Sequence, residues 1–408
     1  MNSVDIAIVG AGLVGAPLAH VLSQQGWSVA LLDAAGPATG NTESDGNAVV
    51  AGAGTGTGAN NTSLQQRCTA LSLGTSQWFD SRRLWSAIAE DACAIKQVHV
   101  SHKGYFGSTR LCAEELNVDA VGYVVNNDTL VKTLHQQLQE STVQLVHHAR
   151  VSAVVHHATS VCVHYGDDSD DRMQAKLVIA ADGVSSVIRR SAGIDTRQVD
   201  YDQLAVLGTL ELSGEHHHVA YERFTSSGPL ALLPRPGRVM SFVDCIEPHE
   251  RESILMMGSE QYLQRLQQRF GHRLGRFKAV GPRMVTPLVR IEASQQIAER
   301  TVLLGNAMRL LHPVGGQGYN LAMRDVAELV DVLQQHTDAD PGSASLLSQY
   351  VASRQQDQHK VVRFTDALAR GFRGKASLPA HARAFGLLSL DAVSPLRKAF
   401  ARRTMGLS

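Results

Sequence analysis

The chain opens on an apolar run from Val4 to Val9, takes up helical spacing from Leu13 to Gln25, and returns to an apolar run from Ser28 to Leu32. That order predicts a strand, a helix and a second strand, one complete βαβ unit. Two more fully apolar runs, Leu177 to Ala181 and Thr301 to Leu304, predict buried strands far downstream. Between them the pattern alternates. Val98 to Ser101 and Gly122 to Val125 read as strands, Val143 to Tyr165 as a hairpin or meander, and Thr129 to Gln139 as a helix with Leu130, Leu134 and Leu138 on its apolar face. Tyr201 to Val285 is richer in strands, such as Ala205 to Leu210 and Val239 to Asp244, and is interrupted by a helix from Ser259 to Phe270. Helical spacing resumes after Asn320 and runs through Leu321, Val326 and Leu329 to Gln335, and Ser345 to Arg370 predicts a long amphipathic helix. Only Gly36 to Ser63 has no period; its Gly, Asn, Thr, Ala and Ser composition reads as a mobile, low-complexity loop.

Each fully apolar downstream run, like the first, ends in a loop suited to a ligand. Gly10-Ala11-Gly12-Leu13-Val14-Gly15 follows the first strand. In such a fingerprint Gly10 allows the tight turn, Gly12 lets a pyrophosphate approach the backbone, and Gly15 permits close packing of helix on strand. Asp33, at the end of the second strand, is placed to accept ribose hydroxyls. The run ending at Ala181 leads into Asp182-Gly183, where Asp182 suits ribityl or ribose hydroxyls or, equally, a helix N-cap. The run ending at Leu304 leads into Gly305-Asn306, then His312-Pro313, then Gly315-Gly316-Gln317-Gly318-Tyr319-Asn320. A glycine loop entering a helix offers unpaired N–H groups and partial positive charge, which suits a ring that becomes negative on reduction. Arg67 can fork two hydrogen bonds to a phosphate or a flavin edge, or be an ordinary surface arginine.

Composition narrows the function. With 408 residues, 44% hydrophobic and 19% charged, the chain has the balance of a globular protein of two or three domains. Thirty-eight basic and 38 acidic residues cancel, so overall charge gives no reason to expect nucleic acid. Five scattered cysteines without a Cys-x-x-Cys pair argue against a disulfide framework, a zinc site or a dithiol centre. His147, His148, His156, His157 and His164 sit on alternating strands whose neighbours face opposite ways, so no metal site is expected, and His216-His217-His218 reads as a loop. With no charged-then-apolar leader and no run long enough to span a bilayer, a cytoplasmic protein is expected. The tail from Arg370 to Ser408 concentrates cations, Arg397, Lys398, Arg402 and Arg403 among them, against a single acid, Asp391. Interleaved with Leu396 and Phe400, that face suits the inner surface of an anionic membrane, a partner protein, or plain solvent.

Taken together, the three motifs resemble the group A flavin monooxygenases, in fold the class of p-hydroxybenzoate hydroxylase, and more closely the FAD-dependent hydroxylases of ubiquinone biosynthesis. Glu222-Arg223-Phe224-Thr225 with Gly228-Pro229-Leu230-Ala231, Val98-His99-Val100-Ser101, and Gly305-Asn306-Ala307 through Met323-Arg324-Asp325-Val326 are most similar to the 2-polyprenyl-6-methoxyphenol hydroxylase subgroup. Asn306 stands where the wider class has Asp, and the Gly36 to Ser63 loop is longer than the resemblance predicts. The resemblance implies an α/β fold: a Rossmann-like FAD-binding domain of residues 1–75, 105–190 and 285–340, an inserted β-sheet substrate domain of 76–104 and 191–284, and a helical C-terminal segment, 341–408. It implies FAD held by Gly10, Gly12, Gly15, Asp33, Arg67, Asp182, Gly305, Asn306, Gly315, Gly316, Gln317, Gly318 and Asn320. The backbone near His312 and Pro313 would border the oxygen-reaction side, and no side chain stands out as a base. The implied reaction is hydroxylation of a polyprenylated phenol, with NADPH or NADH as transient reductant and O2 as co-substrate, through a flavin hydroperoxide. Other ubiquinone-biosynthesis proteins are implied as partners. Rival readings are a hydroxylase of small soluble aromatics, a non-catalytic flavoprotein scaffold of a lipid-biosynthesis complex, and, on the first motif alone, an NAD-dependent dehydrogenase.

Overall fold

The computed structural model describes residues 2–36, 49–51, 67–105, 107–166, 171–371, 388 and 391–407. Most of the expected glycine-rich loop (37–48 and 52–63) and part of the cationic tail (372–387 and 389–390) therefore lie outside the described residues.

An eight-stranded sheet carries the predicted βαβ unit. Asn2–Val9 pairs in parallel with Val29–Leu32 on one side and Asp171–Ala180 on the other, and Asp171–Ala180 pairs in parallel with Thr301–Leu303. Towards their carboxyl ends, at Ile6–Val9, Val29–Leu32, Leu177–Ala180 and Val302–Leu303, these strands are apolar at successive positions and buried on both faces. Ile6, Ile8, Leu177 and Ile179 point into a core shared with the helices Gly15–Gln24 and Gln317–Gln335, while Ala7, Val9, Val178 and Ala180 point into a second core on the far side. The segment read as one hairpin or meander divides. Gln144–Val146 adds a parallel edge beside Val29–Leu32, and only Val151–His157 and Ser160–Tyr165 form the hairpin.

A ten-stranded, largely antiparallel sheet stands over it. Its long strand Thr196–Leu212 pairs with Val239–Ile246 and Arg283–Ala293, and the sheet continues through Gly228–Pro234, Val219–Thr225, Gln97–His102 and Ser108–Cys112. The boundary placed at 104 falls inside the last hairpin. Val49–Ala51, from the stretch read as structureless, pairs with Arg283–Val285; its period could not show because three residues are too few to carry one. The helix Ser259–Phe270 covers one face, with Tyr262, Leu266 and Phe270 against Val206, Leu210 and Phe242. A three-stranded sheet of Cys68–Ser72, Gly122–Asn126 and Cys93–Ile95 lies between the two.

Helix Ala344–Gly371 is clamped to helix Gln317–Gln335 by a buried polar network. Asp325 accepts from Arg354 Nε at 2.8 Å and Gln358 Nε2 at 2.9 Å, with Arg309 at 3.4 Å. A buried carboxylate is tolerated there because two guanidinium groups and an amide surround it. Among the described residues no helix is long and apolar enough to cross a membrane.

Candidate functional site

Three neighbouring parallel strands bring the three motifs to one edge. Val9, Ala180 and Leu303 are in register across the sheet, so Gly10, Asp182 and Gly305 leave it side by side, at the carboxyl ends where open α/β sheets hold ligands. Backbone bonds tie the exits together: Ala181 N–H donates to Val9 O at 2.8 Å and Leu304 N–H to Ala180 O at 2.9 Å.

The glycines of the first loop divide into structural and open positions. Gly10 has φ +103°, and a Cβ there would meet Ala181 O at 2.5 Å; a Cβ on Gly15 would sit 1.9 Å from Gly10 O. Gly12 has nothing within 4 Å, so the protein leaves the space above it to something else. Asp33 accepts Ala11 N–H at 2.5 Å and Ala35 N–H at 2.8 Å, and a carboxylate keeps acceptor capacity beyond two bonds. Ser186, not Asp182, caps the helix Val187–Ser191; Asp182 Oδ2 accepts from Val187 N–H at 2.8 Å, while Oδ1 is buried without a partner. Burial pushes the Asp182 carboxyl above its usual range, opposed by Ser186 and the backbone N–H groups of Ile188, Asp182 and Val187. An orphaned acceptor and an open glycine at one edge fit a hydroxyl-rich, phosphate-bearing ligand such as FAD.

In the third motif the helix begins at Gln317, inside the glycine loop and ahead of the predicted start after Asn320. Gly315 and Gly316, at φ +70° and +60°, turn the chain sharply enough that the glycine loop ends in the helix's first turn. Side chains expected at the cofactor divide the same way. Asn306 and Pro313 are exposed. Asn320 is buried and fully bonded to protein: Oδ1 accepts from Ser72 N–H (2.7 Å) and Thr75 Oγ1 (2.9 Å), and Nδ2 donates to Ala70 O (2.8 Å) and Gly316 O (2.7 Å). Gln317 Nε2 donates to Gly315 O at 3.0 Å and toward Thr404 O at 3.4 Å. His312 is buried, its Nδ1 accepting Val314 N–H at 3.1 Å and its ring meeting the edge of Tyr201. Burial lowers His312 to about 4, so it is neutral and shapes the loop. Arg67 lies with a guanidinium nitrogen 3.4 Å from Met284 Sδ, at the ten-stranded sheet.

Below this loop opens a cavity with about 1030 Å³ of empty space, part of it continuous with solvent. Gly315, Gly316 and Gln317 form one end; Val98, Val100 and Leu111 of the ten-stranded sheet form the roof; Phe364, Leu368 and Phe400 of the C-terminal helices form the far wall. Glu222 is the only ionisable side chain among the described residues that line it.

The comparisons with known proteins agree with this geometry. The family described as FAD binding domain matches residues 58–365, and the one described as FAD dependent oxidoreductase matches 5–105. Ubiquinone hydroxylase UbiL of Rhodospirillum rubrum is 32% identical over 98% of this chain and 89% of its own. The chain belongs to the FAD-dependent hydroxylases of ubiquinone biosynthesis. It is also 27% identical to 3-demethoxyubiquinol 3-hydroxylase of Escherichia coli, over 99% of this chain and 98% of that one. Its fold matches p-nitrophenol 4-monooxygenase PnpA of Pseudomonas putida with a TM-score of 0.74 at 15% identity, covering 99% of both chains. The protein is thus an FAD-dependent monooxygenase, and the dehydrogenase reading falls.

Several residues of the hydroxylase's site escaped the sequence. Tyr319 OH donates to Leu13 O at 2.9 Å, tying the third motif to the first, and His135 Nε2 lies 2.7 Å from Ala11 O. Arg189 donates to Ala307 O at 2.7 Å and Val184 O at 2.6 Å, tying the second motif to the third. Glu222 had a signal: a lone acid at an inward position of an alternating strand, with Phe224 two residues on. Burial pushes its carboxyl up to about 7, opposed by the Gly315 N–H. The trio at His216 is a latch, with His216 Nε2 at 2.8 Å from Arg235 O and His218 Nδ1 at 3.0 Å from Ala94 O.

Proposed function

We propose that this hydroxylase adds a hydroxyl group to the ring of a polyprenylated phenol in ubiquinone biosynthesis, with NAD(P)H as reductant and O2 as co-substrate. The observation that carries this reading is the cavity. Its polar end meets the Gly315-Gly316-Gln317 loop, and its apolar wall runs to Phe364, Leu368 and Phe400, which suits a ring at one end and an isoprenoid tail at the other. A hydroxylase of small soluble aromatics would be expected to hold its substrate's charge with a cation, and none lines the cavity among the described residues.

The site roles follow. Gly12 and the loop around it would receive the FAD pyrophosphate, Asp33 and Asp182 Oδ1 the ribose and ribityl hydroxyls, and Gly305 with Asn306 the adjoining chain. Arg67 would reach the cofactor from the side of the ten-stranded sheet. The N–H groups opening the helix at Gln317 and Gly318 would face the flavin's electron-rich edge. Asn320, Gln317 and His312 would act one step back, holding the loop. Bound FAD supplies the exchange of electrons between NAD(P)H and oxygen; the protein supplies placement and exclusion of water. We take the eight-stranded sheet with its helices as the FAD-binding domain and the ten-stranded sheet as the substrate domain.

Helix Ser394–Thr404 closes the cavity with Phe400 and Ala401 while Leu396, Lys398, Arg402 and Arg403 are exposed on it. A cationic, partly apolar helix beside the mouth suits peripheral contact with an anionic membrane, from which a lipid substrate would enter. The decisive experiment incubates the FAD-loaded protein with a prenylated phenol, NAD(P)H and O2. A product carrying one added hydroxyl supports the reading. Turnover only with small unprenylated phenols would replace it.

A further inference from the structure

We propose that Glu222 is the catalytic base of this hydroxylase, its carboxylate taking the proton of the substrate's phenolic hydroxyl while Thr109 flanks the ring from two strands away. This rests on the reading of the cavity as the phenol's site. The geometry begins in the sheet. Glu222 pairs with Val100 on the neighbouring strand, and Val100 pairs with Thr109 on the next, so the three form one row across the sheet and all line the cavity. Two strand spacings, roughly 9–10 Å, separate the outer members, so a ring lying over Val100 would have one of them at either side.

Both ends of the row carry an unmet polar atom. Glu222 Oε1 and Thr109 Oγ1 are inaccessible to solvent and have no hydrogen-bond partner, which in a folded interior calls for a ligand or a bound water. A structural carboxylate would be expected to have a counter-ion. No arginine or lysine acts on Glu222; only the Gly315 N–H, in the glycine loop, favours its charged form. Two strands away, on Val239–Ile246, Cys245 is the titratable group that feels the Glu222 charge; its thiol is raised first by burial and then by the charges of Asp244 and Glu222, so it is neutral. Arg223, the next residue along, points to the opposite face and meets Ser101.

The chemistry balances. The phenolic O–H bond breaks, the proton moves to Glu222, and the electron pair stays on oxygen and enriches the ring carbon that attacks the transferred oxygen atom. After transfer, the hydroxylated carbon loses its ring proton to water from the solvent-connected end of the cavity as the ring regains aromaticity, and the carbonyl oxygen takes back the proton held on Glu222, which returns to its carboxylate form. A base whose acidity lies near the working pH is matched to both directions.

The test uses the FAD-loaded full-length protein with a short-chain prenylated phenol. In the wild type, kcat/KM and the ultraviolet difference spectrum of bound phenolate should both rise with pH through about 7. E222Q should retain full FAD and a KM within a few-fold, lose the phenolate signal, and drop in kcat by about 100-fold. E222D, which keeps a carboxylate at a longer reach, should recover part of kcat and the pH limb, a result that a packing role would not give. Wild-type turnover together with an unchanged kcat and pH profile in E222Q overturns the assignment while leaving the substrate reading intact. A wild type that neither binds nor hydroxylates the prenylated phenol overturns both.

Discussion

The cofactor edge and the cavity beneath the ten-stranded sheet are built in different ways. At the edge, each loop is specified within a few residues of chain: a strand ends, a glycine turns, a helix begins. At the cavity no wall is local. Val98, Thr109, Glu222, Phe364 and Phe400 come from five separate elements, and their meeting depends on strand register and on how the C-terminal helices close over the sheet. The first kind of site is set by backbone stereochemistry and the second by long-range packing. Mutations should therefore separate them, abolishing cofactor binding at one with little cost to the fold and altering substrate use at the other with the cofactor intact.

The sharpest break is at Gly12. Because a Cβ there meets nothing within 4 Å, Gly12→Val should fold and yet lose FAD by about 100-fold or more in affinity, read as the flavin absorbance that survives gel filtration; stability should move by about 0.5 kcal/mol or less. Gly15→Val is the contrast: its Cβ would lie 1.9 Å from Gly10 O, so the fold itself should fail, seen as lost soluble protein. At the cavity, Leu368→Asp should leave FAD content unchanged and raise KM for a prenylated phenol by roughly 10–100-fold, since an ionised group would face the apolar wall. If that variant loses flavin instead, the two regions are not separable as argued.

Smaller effects concern charge. His312 and His99 are both held neutral by burial at about 4, below the ordinary histidine value of about 6.5. A histidine depressed in the folded state adds stability above its unfolded value and loses it as pH falls through the folded one. Denaturant midpoints should therefore drop between pH 6.5 and pH 4. Glu222 has the opposite sign. Its carboxyl is raised in the folded state from 4.5 to about 7, so the folded form is favoured at low pH and loses ground as pH rises through that window. E222Q should be more stable than the wild type above pH 7, on the order of 1–2 kcal/mol, a stability cost that suits a functional group. Smallest is Asn306→Asp, exposed at the third loop: a charge-assisted bond to a ligand hydroxyl should tighten FAD by up to about tenfold.

The same contrast explains what could be read from the chain alone. The βαβ unit, the strands ending at Ala180 and Leu303, and the helix Ser259–Phe270 follow from runs and periods that lie within one window of sequence. So do the glycines of the three loops. The roles of particular side chains do not. Asn320 and Gln317 look like ligand contacts in a glycine-rich motif, yet their amides hold the loop's own Gly316 and Gly315, and Asn320 also holds Ala70 and Ser72, partners that only the folded chain brings near. Tyr319 reaches Leu13 across 306 positions of sequence, and nothing local marks it. The cationic C-terminal segment has a composition suited to a membrane face, but part of it is structural: Arg397 pairs with Glu115 at 2.9 Å, and Gly74 N–H donates to Met405 O at 2.9 Å. Charge counts in a window cannot tell a paired arginine from a solvated one.

The central claim, that FAD at the three strand ends serves a prenylated phenol in the cavity below, is tested most directly with isotopically heavy O2. The FAD-loaded protein, supplied with NADPH and a prenylated phenol, should yield a product heavier by one labelled oxygen atom, and Gly12→Val should yield none. Oxidation of NADPH with only labelled hydrogen peroxide formed, for every prenylated phenol offered, would contradict the account.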